Sequence, residues 1–239
     1  LYKLIIFDFD GTLVDSAPGI VDVMHQVVDE YLLSKQILER WEPLVGIPLM
    51  SQMEVIFPDK GPDYHETVAN RYRAIYDTKA IEICPLFPNL LQILKKLQDS
   101  KIDLAIVSSK RRNLVELVLD HHDLSKYFRV VMGQQDVNNH KPHPEPVHST
   151  LKKLNHAHEH SVVIGDSTYD LDMARNAGVD AIGVTTGIHT RQILEGSKPR
   201  HIVDTLDEIL PLILKNGNGN GNGNGNGNGR DGNGNGKHH

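Results

Sequence analysis

Asp8 and Asp10 stand two positions apart in the stretch LIIFDFDGTLVDS, where an apolar run ends abruptly in two carboxylates and a glycine. Residues two apart on a strand point the same way, so both acids can approach one ligand as the strand runs out. Gly11 and Thr12 follow at once and suit a tight turn whose backbone N–H groups can cradle an anion. Two nearby carboxylates are costly unless a cation or a proton separates them. The arrangement suits a metal-assisted nucleophile beside a general acid. Taken alone, the string could also be a polar turn capping a strand. Three further stretches decide against that. DLAIVSSK offers Ser108 as a hydroxyl donor, with Ser109 beside it; NHKPHPEP offers Lys141 in a proline-stiffened loop; VVIGDSTYD offers Asp166 and Asp170.

Those residues need elements that bring them to one edge. Short β-rich apolar runs at 3–7, 102–107, 129–132, 161–164 and 180–184, with a weak one at 201–203, read as parallel strands covered on both faces. Helical patterns at 88–99, 111–121, 144–155, 168–176 and 204–214 alternate with them. The alternation predicts an α/β fold built on a doubly wound, Rossmann-like parallel sheet. The carboxyl ends of such strands share one edge, and ligands bind there. One interval breaks the rhythm: roughly ninety residues separate the first two strands. Ser16 reads as an N-cap, with Pro18 in the first turn, for a helix to about residue 33. More helical segments follow at 38–44, 48–57 and 63–79. Residues 16–83 are therefore expected to form an all-helical cap over the site, with Pro85 and Pro88 marking the return to an α/β core of residues 1–15 and 84–215. From Asn216 the sequence is almost pure Asn-Gly alternation, closing with Lys237-His238-His239. With no apolar face to bury, 216–239 is expected to be a disordered low-complexity tail whose removal leaves the kinetics unchanged.

The chain has 239 residues, a formal net charge of −6 and 39% hydrophobic residues. That length supports a substantial core, and the acidic balance excludes a basic nucleic-acid footprint. No apolar run approaches the roughly 18 residues that span a bilayer, and no signal-peptide pattern opens the sequence. A single cysteine, Cys84, rules out an internal disulfide framework and fits a reducing compartment; nothing near it suggests a lowered pKa. The expectation is a cytoplasmic monomer or homodimer with neither nucleic acid nor membrane as partner.

With these residues in place, the sequence resembles the haloacid dehalogenase superfamily of phosphohydrolases. Four motifs stand in order: DFDGTLVDS, Ser108 in IVSS, Lys141 in KPHPEP, and GDSTYD. The resemblance covers roughly residues 1–210, and FDFDGTLVDSAPGI and GDSTYDLDMARNAGV look most like the phosphoglycolate phosphatase branch. It implies that Asp8 attacks phosphorus and forms an aspartyl-phosphate, and that Asp10 protonates the leaving alcohol and later deprotonates water. It implies Mg2+ between Asp8, the Asp10 backbone carbonyl and Asp166, with Asp170 in support. Ser108, with Ser109, Gly11 and Thr12, would bind the phosphoryl oxygens, and Lys141 would neutralise their charge and hold Asp8. The implied partner is a small phosphorylated metabolite.

Relatives of the same fold are the competing readings. True dehalogenases of the superfamily lack the second aspartate, since halide needs no acid to leave, so Asp10 favours phosphoryl chemistry. A β-phosphoglucomutase would carry a cap histidine and a lysine and an arginine flanking a GI turn; the equivalent places here read Ile20, Val45 and Leu49. Pyrophosphatases and sugar or nucleotide phosphatases stay open, because their discriminating residues lie in the cap. A binding protein without turnover ranks last, because every chemical group is present. Lys60, Arg71 and Arg73 are expected to be solvated helix positions. HAHEH (His156, His158, His160) is expected to be a polar loop away from the site, His140 and His143 surface histidines beside Lys141, and Trp41 a packing residue of the cap.

Overall fold

In the first strand, β1 (Leu4–Phe7), burial alternates between two layers: Ile5 and Phe7 join one apolar cluster, Leu4 and Ile6 the other, and all four are fully buried. That is the pattern of a strand covered on both faces. In the computed structural model, which describes residues 1–214, five helices follow: α1 (Ala17–Glu30), α2 (Gln36–Trp41), α3 (Leu49–Ile56), α4 (Pro62–Asp77) and α5 (Ala80–Ile83). The alternation then runs α6 (Leu90–Asp99), β2 (Asp103–Val107), α7 (Arg112–His121), β3 (Val130–Met132), α8 (Glu145–Leu154), β4 (Ser161–Gly165), α9 (Thr168–Ala177), β5 (Asp180–Val184), α10 (Arg191–Gly196), β6 (His201–Val203) and α11 (Ile209–Leu214). The expected tail, 216–239, lies outside the described residues. Among the described residues no helix is long and apolar enough to cross a membrane.

The six strands are all parallel, in the order β3-β2-β1-β4-β5-β6. Helices α6, α7 and α11 pack on the face that carries Ile5 and Phe7. Helices α8, α9 and α10 pack on the face that carries Leu4 and Ile6. This is the doubly wound α/β sheet that the alternation predicts. Phe7 is level with Ile106 of β2 on one side and Ile164 of β4 on the other, so the loops after these three strands leave the sheet side by side. The chain order reverses across β1, which makes its carboxyl end the topological switch point.

The helices between β1 and β2 build on helical spacing. Ile20, Val23, Met24, Val27 and Val28 form the buried face of α1, and Val68, Ala69, Tyr72, Ile75 and Tyr76 that of α4. Trp41 is fully buried between them and its Nε1–H donates to Gln52 Oε1 at 2.8 Å, which satisfies its polar edge. Two helices were not anticipated, α5 and α10. At 4 and 6 residues they are too short to show a periodicity. The helix expected over 204–214 opens instead as a 3-10 turn, Leu206–Glu208.

Candidate active site

The loops after β1, β3 and β4 bring four charged groups together. Lys141 Nζ donates to Asp8 Oδ1 at 2.7 Å and to Asp170 Oδ1 at 2.5 Å. Carboxylate oxygens of Asp8, Asp166 and Asp170 lie within 4.8 Å of one another, and all three residues are buried. One ammonium cannot balance three carboxylates. Burial and the adjacent Asp170 push Asp8 up to about 7 despite Lys141. Burial, with Asp8 and Asp170 beside it, drives Asp166 well above the ordinary carboxylate range. Burial also works against the charge of Lys141, but Asp170 and Asp8 more than offset it and hold the ammonium above its ordinary value. A hard cation answers this excess of negative charge, and a set of oxygen ligands suits one. Asp8 Oδ2 has no hydrogen-bond donor among the described residues, so it stays available.

Asp166 and Asp170 are each oriented by a different set of donors. Thr12 Oγ1 donates to Asp166 Oδ1 at 3.0 Å and the Ile188 N–H to Asp166 Oδ2 at 3.2 Å. Ser167 donates to Asp170 Oδ2 from its hydroxyl at 2.6 Å and from its N–H at 3.2 Å, in the capping box that starts α9. Gly11 has φ +75°, and a side chain there would meet Asp166 Oδ2 at 2.5 Å. Gly187 is tighter still: a Cβ would fall 1.7 Å from the same oxygen. Both turns press bare backbone against Asp166.

Several of these side chains and N–H groups find partners within the protein. The N–H groups of Gly11 and Thr12 do not open toward an anion; they donate to Val14 O at 2.8 Å and Phe9 O at 3.3 Å, because the turn closes on its own carbonyls. The Ser109 hydroxyl is committed to Gly46 O at 2.7 Å, whereas the buried Ser108 Oγ accepts only the Lys110 N–H, at 3.1 Å, and keeps its own proton free to donate. Ser16 does stand at the N-cap position of α1, but it makes no cap hydrogen bond. Its hydroxyl donates instead to Asp10 Oδ1 at 2.7 Å.

Asp10 is thereby separated from Asp8. Its carboxylate is not in the cluster of three; Oδ1 receives Ser16 and lies 3.1 Å from Lys110 Nζ. Lys110 was not singled out in the sequence, and its place after Ser108-Ser109 was the available signal. It is nearly buried, donates to Tyr76 Oη at 2.5 Å and sits 4.1 Å above the Tyr76 ring. Burial opposes its charge, and Asp10 more than restores it.

Asp8 and Asp10 line a cavity of about 100 Å3. Ser108, Ser109, Lys110 and Arg111 form its sheet side; Ile20, Val45, Leu49, Tyr72 and Arg73 come from the helical segment. Arg73 is thus on the wall of the cavity rather than simply solvated. Arg71 makes a bidentate pair with Glu30 at 2.5 and 2.6 Å, and Lys60 lies 5.4 Å over the Tyr64 ring, both as surface positions. His156 pairs with Asp103 at 2.9 Å and His158–His160 forms a 3-10 turn leading into β4, at the opposite end of the sheet from the cavity. His140 lines a small recess with Lys141, and His143 Nδ1 accepts the Glu145 N–H at the surface. Burial pushes the Cys84 thiol up to about 11, which removes it as a nucleophile.

Known proteins share this arrangement. The family model described as haloacid dehalogenase-like hydrolase matches residues 5–184. A phosphoglycolate phosphatase of Salmonella typhi is 29% identical over 87% of this chain and 91% of its own length. A pyrophosphatase, PpaX, of Bacillus mycoides is 28% identical over 87% and 95%. A solved chain from Bacteroides fragilis superposes with a TM-score of 0.82 at 30% identity, covering 87% of this chain and all of that one. With a match that runs from β1 to β5 and takes in every acid of the site, the chain belongs to the haloacid dehalogenase-like hydrolase family, among its phosphatases.

Proposed function

We propose that the protein is a Mg2+-dependent phosphatase that hydrolyses a small phosphomonoester, with 2-phosphoglycolate the leading substrate, through a phospho-aspartate. The carrying observation is Asp8: one oxygen is fixed by Lys141 at 2.7 Å, the other is uncommitted, and the residue borders the cavity. Asp8 attacks phosphorus, Asp10 serves as acid and then base, Ser108 and Lys141 bind phosphoryl oxygens. Asp8, Asp166 and Asp170, with the Asp10 backbone carbonyl, would hold the metal, which when bound neutralises phosphoryl charge. Residues 16–83 act as a cap on a core of 1–15 and 84–215. Supporting this, Gly46 O accepts from Ser109, and His189 Nε2 lies 3.2 Å from Pro43 O.

The cavity supports a small substrate, since about 100 Å3 is far below the roughly 300 Å3 at which drug-sized sites begin. Ile20, Val45 and Leu49 give it apolar walls where a mutase would grip a sugar phosphate. Pyrophosphate is the second reading, favoured by Arg73, Lys110 and Arg111 on the same walls. Phosphate release from 2-phosphoglycolate, pyrophosphate, sugar phosphates and nucleoside monophosphates, with Mg2+ or EDTA, separates these. Turnover is expected with Mg2+ only, and Asp8→Asn is expected to lose at least about a thousand-fold in kcat while staying folded. Near-normal activity of that variant would sink the nucleophile assignment, and interconversion of glucose 1- and 6-phosphates the choice of hydrolysis.

A further inference from the structure

Resting on that phosphatase reading, we infer that Lys110 is a positioning residue for Asp10. With Ser16, it fills one carboxyl oxygen so that proton transfer runs through the other, and it is itself held by Tyr76 of α4. Two groups converge on Asp10 Oδ1: the Ser16 hydroxyl donates to it at 2.7 Å, and the Lys110 ammonium forms an ion pair with it at 3.1 Å. Oδ2 has no hydrogen-bond partner among the described residues. A carboxyl rotates about one bond, so a donor and an ammonium on a single oxygen fix its plane and leave Oδ2 to carry the proton.

The step balances on that oxygen. As Asp8 forms its bond to phosphorus, the bond to the leaving oxygen breaks, its electron pair stays on that oxygen, and the Oδ2 proton passes to it. In the second half Oδ2 takes a proton from water as the water oxygen bonds to phosphorus and the bond to Asp8 breaks.

Lys110 is anchored at its other side by the cap. Its ammonium donates to Tyr76 Oη at 2.5 Å, and Tyr76 Oη is in turn 3.1 Å from Cys84 Sγ, so both anchors are buried. Beside it, the guanidinium of Arg111 pairs with Asp77 of the same helix. The hold on Asp10 therefore draws one partner from α1's entry, one from the end of β2 and a support from α4. It is complete only with the helical segment seated on the sheet edge.

Leaving-group dependence tests this, because only a poor leaving group needs the acid. Ethyl phosphate releases an alkoxide that must be protonated; acetyl phosphate, of similar size, releases acetate unaided. For Lys110→Met, kcat/KM on ethyl phosphate is expected to fall about a hundred-fold, with acetyl phosphate changed by only a few-fold. Tyr76→Phe, which keeps the ammonium and removes its anchor, is expected to show the same pattern at smaller amplitude, and Lys110→Arg to recover part of the loss. Equal losses on both substrates, or no loss on either, in a folded variant overturns the inference. Should Lys110→Met fail to fold, Tyr76→Phe carries the test: an unchanged ethyl-to-acetyl ratio in it is the overturning result. Failure of the phosphatase reading looks different, since the wild-type protein would then release phosphate from neither compound.

Discussion

Asp8, Asp166 and Asp170 carry more negative charge than Lys141 offsets, and that imbalance has a measurable sign. Asp8 is pushed up to about 7 from an ordinary 3.8, so the folded protein holds a proton there that the unfolded chain has released. Between those two values the native state binds more protons, and stability falls as pH rises. Above pH 7 the metal-free protein bears the full cost, on the order of a few kcal/mol at a buried site. Mg2+ is expected to raise Tm more at pH 7.5, where it meets the bare carboxylates, than at pH 5, where it competes with protons. In EDTA at pH 7.5, Asp8→Asn is expected to melt roughly 3–6 °C above the wild-type protein. Thermal unfolding across pH, with and without Mg2+, checks both. A Tm gain from Mg2+ that is larger at pH 5, or a destabilised Asp8→Asn, would show that charge crowding is not the governing effect.

At the scale of elements, what matters is how closely the loops after the strands approach one another. Gly187, in the loop after β5, would place a Cβ 1.7 Å from Asp166 Oδ2, whereas Gly178 at the end of α9 faces open space with φ +70°. Gly187→Ala is expected to move Asp166 and weaken Mg2+ activation by about 10–100-fold. Gly178→Ala is expected to cost about 1 kcal/mol of stability through its left-handed backbone and leave Mg2+ activation alone. Titrating Mg2+ in the activity assay for both variants decides; equal Mg2+ requirements would mean that the loop gives way. The same contrast explains what could be read in the sequence. Asp8, Ser108, Lys141, Asp166 and Asp170 each end or follow a strand, so local pattern and strand order sufficed to gather them. Lys110, Tyr76 and Gly187 acquire their roles through partners more than twenty residues away, and Ser16 through a turn that folds it back on Asp10, neither of which periodicity reports. The Gly11 and Thr12 N–H groups turn inward for a related reason: whether an N–H faces a ligand depends on which carbonyl the turn brings near.

Across the whole molecule, the helices between β1 and β2 and one face of the sheet share a single buried cluster. Val23, Met24, Trp41, Val68 and Tyr72 belong to it, and so do Ile5, Phe7, Ile93, Ile106 and Val115. Polar links across the same seam add to it, Lys110 to Tyr76 and Ser109 to Gly46 among them. A shared apolar cluster couples the unfolding of its parts, because opening either one exposes the surface of the other. Trp41 is the only tryptophan of the chain, and it lies wholly within the helical segment. Its emission therefore reports that segment, while far-UV ellipticity reports all the helices together. In a urea titration the two signals are expected to give one midpoint and one slope. A Trp41 transition at lower urea, with ellipticity lost in two steps, would show instead that the helical segment unfolds while the sheet still stands. The grip of Tyr76 on Lys110 would then come and go with local unfolding of that segment, and the Asp10 arrangement would be only as persistent as the seam that supports it.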